Sequence, residues 1–179
     1  MPVVALTPHP STPVAVEWRL GVDARRIAGG ELALTFRLEG ALAGLAIPPP
    51  CPPRRADRLW QHTCFEAFVA VAGAAAYREL NLSPSGEWAL YAFARYREPM
   101  AATQEPRAPH AVVTRAPDRL QLDAVLSLEP GSAEHEGARL RLGLSAVLET
   151  TDGALSYWAL RHPPGAPDFH HPDAFVLEL

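Results

Sequence analysis

The chain has 179 residues, of which 48% are hydrophobic and 20% charged, with a formal net charge of −4. That composition is globular, supplies enough chain for one full core, and excludes the strong positive field of a nucleic-acid binder or of a protein held on an anionic membrane. No apolar run approaches the roughly 20 residues of a spanning helix, and the prolines in MPVVALTPHPSTPVAVEWRL interrupt any signal-like stretch. The expected compartment is the cytoplasm, with Cys51 and Cys64 as free thiols.

In chain order, residues 3–6 and the alternation Val14, Val16, Trp18, Leu20 predict two short strands around the loop TPHPST. Asp23, Arg25 and Arg26 with the pair Gly29-Gly30 predict a turn, and ELALTFRLEG predicts a half-buried strand that turns Leu32, Leu34, Phe36 and Leu38 to one side. The proline-rich residues 48–58 cannot form a central strand and are expected to cross as a rigid loop. Residues 59–71 are apolar at nearly every position and predict a central strand with Glu66 embedded in it, where a carboxylate must be paired or hydrogen-bonded.

The hairpin YRELNLSPSGEWALYAFARYR, residues 77–97, is the organising element. Pro84 presets the second position of a type I turn, and Gly86 can take the left-handed bulge that follows. This predicts that Ser83 faces Glu87, Leu82 faces Trp88, Asn81 faces Ala89, Leu80 faces Leu90, Glu79 faces Tyr91 and Tyr77 faces Phe93. Alternation then gives Leu80, Leu82, Trp88, Leu90 and Ala92 a core face. Tyr77, Glu79, Asn81, Tyr91, Phe93 and Arg95 share the opposite face, whose acid, amide, guanidinium and rings suit a small polar ligand.

Beyond the hairpin, REPMAATQEPRAP and EPGSAEHEGA read as loops, while HAVVTRA, RLQLDAVLSL, RLRLGLSAVLET, LSYWALRHP and residues 175–179 read as strands, with a tight turn at Thr151-Asp152-Gly153. Nineteen prolines and twelve glycines fall mostly between strands. The expected fold is all-β, a single domain over residues 1–179 built as an antiparallel β-sandwich of jelly-roll or immunoglobulin-like type with about ten strands.

LWQHTCFEAFV, the hairpin and YWALRHPPGAPDFHHPDAFVLEL together resemble the bacterial DOMON-like domain proteins, relatives of the family 9 carbohydrate-binding modules and of the DOMON haem- and sugar-binding domains. The residues that carry the resemblance are Trp60, Glu66, Tyr77, Asn81, Pro84, Gly86, Trp88 and Tyr91, and it covers about two thirds of the chain, from Leu59 onward. It implies a β-sandwich that binds a sugar or a haem without catalysis of its own. Where the carbohydrate modules carry an acidic run that supplies calcium ligands, this chain has RADRLWQHTCFE, so no metal site is carried over.

The candidate ligand-binding set is Trp60, Glu66, Tyr77, Glu79, Asn81, Tyr91, Arg95, His162 and His170, with rings for stacking and polar groups for sugar hydroxyls. The same residues also read as a buried Glu-Arg-Asn network that fixes register. An arginine beside the two carboxyls is expected to keep both ionised, which argues against glycosidase chemistry and against an enzyme. Two alternatives stand beside the sugar-binding module. One is a b-type haem domain with Met100 and either His162 or His170 as axial ligands; the other is an interaction domain that pairs through an exposed edge strand, the same edge that offers a homodimer.

Overall fold

The computed structural model describes residues 3–12, 14, 17–100, 107–127 and 137–179. Among them lie thirteen strands: β1 (Val4–Pro8), β2 (Arg19–Arg26), β3 (Leu32–Glu39), β4 (Arg54–Arg55), β5 (Cys64–Val71), β6 (Tyr77–Leu82), β7 (Glu87–Arg95), β8 (Glu98–Pro99), β9 (His110–Ala116), β10 (Arg119–Leu126), β11 (Leu140–Glu149), β12 (Leu155–Ala159) and β13 (Leu177–Glu178). Short 3-10 turns are the helical elements of the described residues, and no helix there is long and apolar enough to cross a membrane.

The all-β expectation holds, but the two-sheet antiparallel sandwich of about ten strands is corrected. The strands form one continuous hydrogen-bonded path, β4-β7-β6-β5-β11-β12-β1-β2-β3-β10-β9, with β13 added to β11 and β8 to β7. Continuity comes from β1, which pairs with β2 through Val4–Leu6 and with β12 through Thr7 and Pro8. The β4–β7 pair is parallel, so the sheet is mixed. It curls until its two halves face each other across one core. Leu20, Val22, Leu34, Phe36, Leu120 and Leu122 come from one half, and Phe65, Ala67, Leu80, Leu82, Leu142 and Leu144 from the other. Phe36 and Phe65 meet at the centre with ring centroids 5.2 Å apart.

Several local expectations also change. Asp23, Arg25 and Arg26 belong to β2 and not to a turn, because Leu20, Val22 and Ala24 alternate into the core, and the turn is confined to Ala28–Gly30. Trp18 precedes that strand, buried with its indole N–H donating to the Ala41 carbonyl at 3.0 Å. The part of the expected strand at Ala15 and Val16 lies outside the described residues, as do residues 101–106 and 128–136 of the two expected loops. The run at 59–71 opens on a 3-10 turn, Leu59–Gln61, and becomes a strand only at Cys64. The closing strand shrinks to β13, preceded by another 3-10 turn at Pro172–Ala174.

The hairpin follows its predicted register at every pair. Ser83 N–H donates to the Glu87 carbonyl at 2.9 Å, Gly86 N–H to the Ser83 carbonyl at 3.0 Å, and Gly86 has φ 101°. Across the outer face of β5, β6 and β11 runs the C-terminal segment, whose Ala174 and Phe175 pack with Phe68, Tyr77 and Phe93. Arg141 fixes this segment by donating to the Phe175 and Pro172 carbonyls. Gly143 admits it, since a Cβ there would already touch the Ala174 carbonyl at 3.4 Å.

Candidate functional site

Strand alternation collects the site. Glu66 pairs with Asn81 and Phe68 with Glu79 in β5–β6, and Glu79 pairs with Tyr91 in β6–β7, so Glu66, Phe68, Glu79, Tyr91 and Phe93 project from the outer face. Val147 of β11 and Tyr157 of β12, a registered pair, extend that face. With Trp60, Arg97 and the C-terminal Pro167, Phe169 and His170 they enclose a cavity of about 380 Å³. That volume is of the size that holds a small molecule.

Trp60 and Tyr91 form one side, edge to face, with centroids 6.2 Å apart. The turn that presents Trp60 is entered through Arg58, which holds φ 62°. The Tyr91 hydroxyl donates to Asp57 Oδ1 at 2.8 Å, and burial, followed by that carboxylate, raises its pKa. The phenol is therefore protonated and its ring orientation fixed.

Glu66 lies deepest, at 2% exposure. Its Oε2 receives a long 3.5 Å contact from Ser145 Oγ–H, and its Oε1 has no partner among the described residues. Burial first, and then the charge of Glu79, push its pKa well above the ordinary carboxylate range. Burial also raises Glu79, opposed by the Asn81 amide, which donates to Glu79 Oε1 at 2.8 Å, and by the charge of Arg97. The expectation that an arginine holds both carboxyls in their ionised form is corrected: burial outweighs the Arg97 guanidinium at Glu79, no guanidinium of the described residues acts on Glu66, and the pKa of each is raised.

The facing wall is a connected network. The Arg97 backbone N–H donates to the Tyr77 hydroxyl at 3.1 Å, and that hydroxyl lies 2.8 Å from His170 Nδ1. His170 Nε2 stands 3.6 Å from Glu79 Oε2. Burial, and then the Arg97 charge, lower the His170 pKa to about 4, so the ring is neutral at pH 7. A neutral ring with Nδ1 accepting from Tyr77 leaves its proton on Nε2, toward Glu79. Arg97, at φ 52°, also donates Nη2–H to Asp168 Oδ1 at 2.9 Å. Asp168 accepts from the Tyr96 hydroxyl as well; these bonds overcome the effect of its burial and hold its pKa below the usual range.

Of the nine sequence-derived candidates, Trp60, Glu66, Glu79, Tyr91 and His170 line the cavity. Tyr77 and Asn81 stand behind it as hydrogen-bond partners of His170 and Glu79. Arg95 and His162 do not line the cavity. Pairing with β6 ends at Tyr77 opposite Phe93, so Arg95 runs past β6, registers with Glu98 of β8 and forms an ion pair with it, its side chain 73% exposed. His162 Nε2–H donates to the Thr7 carbonyl at 2.8 Å and the ring packs edge-on against His9, which ties the start of the C-terminal segment to β1. Met100 is half exposed, and neither it nor His162 lines the cavity, so the expected haem ligands do not converge there.

Sequence reasoning missed Phe68, Arg97, Val147, Tyr157, Pro167 and Phe169, and left Phe93 out of the site. Phe68 was accessible by alternation from Glu66. Arg97 was not, because a left-handed loop residue aims its side chain by tertiary bonds that no local pattern records.

No protein-family model matches the chain, and no curated protein matches it significantly in sequence. Its fold does match solved structures. A Bacteroides uniformis protein provisionally described as carbohydrate-binding superposes with a TM-score of 0.64 at 17% identity, covering 97% of this chain and 83% of that one. A family 9 carbohydrate-binding module from Caldicellulosiruptor kristjanssonii, in complex with glucose, superposes with a TM-score of 0.53 at 10% identity, covering 90% and 76%. The chain thus shares its fold with a family 9 carbohydrate-binding module and with a protein provisionally described as carbohydrate-binding.

Proposed function

We propose that the protein is a non-catalytic carbohydrate-binding module, allied to the family 9 modules and the DOMON-like domains, and that the outer-face cavity is its ligand site. The observation that carries this reading is the pairing of an aromatic side, Trp60 and Tyr91, with a deep carboxyl, Glu66, whose Oε1 is buried and unpartnered. A sugar ring is built to meet both, since its C–H faces stack on rings and its hydroxyls bridge to carboxyl and guanidinium groups. Glu79, Arg97 and His170 would supply the remaining polar contacts, with Tyr77 and Asn81 holding His170 and Glu79 in place. The fold shared with a glucose-bound module supports the same assignment.

Titration with a panel of mono- and disaccharides, followed by tryptophan fluorescence and calorimetry, tests the proposal. At least one sugar is expected to bind, with Tyr91→Ala weakening it about tenfold, or about 1.4 kcal/mol, while the thermal transition stays cooperative. Binding that survives Tyr91→Ala and Glu66→Gln unchanged would move the site elsewhere, and silence across the panel would remove the carbohydrate reading.

A further inference from the structure

The charges around the cavity do not balance. Arg97 spends its guanidinium on Asp168 at 2.9 Å, and Asp168 takes a second bond from Tyr96. His170 is neutral at pH 7. Among the described residues that line the cavity, this leaves Glu66 and Glu79 as two carboxyls with no bonded cation: the Arg97 charge acts on Glu79 without bonding it, and their hydrogen-bond donors are the neutral Ser145 hydroxyl and Asn81 amide. Tyr77 and Tyr91 add protonated phenols and no charge. Buried carboxyls without a counter-charge are satisfied either by protons or by a cation that arrives with the ligand.

From the unpartnered Glu66 Oε1, the second carboxyl diagonal to it on the sheet, and the rings of Trp60, Tyr91, Phe68 and Phe93 around them, we infer that the preferred ligand carries an ammonium group, an amino sugar being the class that fits. The inference rests on the carbohydrate reading and sharpens it. A neutral sugar offers Glu66 a hydroxyl and brings no counter-charge for either carboxyl. A protonated amine bonds the carboxyl, supplies the missing charge, and finds aromatic faces to stabilise it. Binding such a ligand favours the ionised form of Glu66 and opposes the burial that raises its pKa, so complex formation is expected to release protons to solvent.

The test is calorimetry on the full chain at pH about 6.5, where an amine of this kind is protonated, with D-glucosamine, N-acetyl-D-glucosamine, D-glucose and tetramethylammonium, each in two buffers of different ionisation enthalpy. D-glucosamine is expected to bind at least about tenfold tighter than the two neutral sugars, with a heat that depends on the buffer because a proton is released. Glu66→Gln should abolish both the preference and the proton release, leaving D-glucosamine bound no tighter than the neutral sugars. Glucose binding as well as glucosamine, with no proton release, would overturn the inference and leave the carbohydrate reading standing. Tetramethylammonium binding with no sugar bound would keep the cation site and remove the sugar. Silence of all four would overturn both.

Discussion

Holding Glu66 at 2% exposure opposes folding, because the native state must either keep its proton or bury a charge. Its folded pKa lies above the ordinary 4.5. As pH rises from there, the unfolded chain loses that proton before the native state does, so native stability declines up to the raised value. Glu66→Gln keeps the shape without the ionisation. Its melting temperature should therefore exceed that of the parent protein increasingly as pH rises, with a residual decline contributed by Glu79, which is also raised. His170 acts in the opposite sense. Its pKa falls from 6.5 to about 4 on folding, so as pH drops through that window the unfolded chain takes up the proton first and stability is lost. His170→Asn, whose amide oxygen can still accept from Tyr77, should flatten that acid-side loss. Scanning calorimetry of the three proteins between about pH 4 and about pH 8 checks both signs, and equal slopes in parent and variants would count against the burial assigned to either residue.

The hairpin shows which parts of the structure are legible in the chain alone. Its register follows from a turn whose requirements are local, Pro84 before a glycine at φ 101°, and from alternation on either side of it. Gly86→Ala would force a side chain into the left-handed region and set its Cβ 3.0 Å from the Cys51 carbonyl, which donates no slack because Cys51 N–H is itself bonded back to the Ser85 carbonyl. A loss of about 1–3 kcal/mol is expected, read as a lower urea midpoint with an unchanged slope. Alternation within the hairpin also put Glu79 and Tyr91 on the outer face, whereas the side to which Glu66 turns in the neighbouring strand is fixed only by its pairing with Asn81. It failed where chain direction is set by distant bonds. Arg95 satisfies the period but lies beyond the last β6 pair, whereas Arg97, two residues on, reaches the cavity through its left-handed φ and its bonds to Tyr77 and Asp168. The turn assigned to residues 23–26 failed because its charged residues outweighed Val22 and Ala24, whose burial appears only once β3 and β1 flank them.

At the scale of the whole molecule, the curl of the sheet makes its two halves depend on each other. A sheet half that exposed Leu34, Phe36 and Leu122 to water would not persist alone, since the apolar face of each half is covered by the other. Phe36 on β3 and Phe65 on β5 are the contact through which this dependence can be measured, both fully buried and 5.2 Å apart. Each single change to alanine is expected to cost about 3–5 kcal/mol, a large share of the roughly 5–15 kcal/mol by which a domain is stable. Because the two rings touch, the double variant should fall short of the sum by about 0.5–1.5 kcal/mol. Unfolding of the parent protein should follow one transition whether observed through Trp18, buried on the β2–β3 side, or through Trp60, at the cavity mouth, in variants that retain one reporter. Strict additivity of the two phenylalanine changes, or separate transitions for the two reporters, would mean that the halves fold as independent units joined through β1. In that event ligand bound at the outer face would stabilise only the half that carries the cavity, whereas in a single cooperative unit it raises the transition seen by both reporters equally.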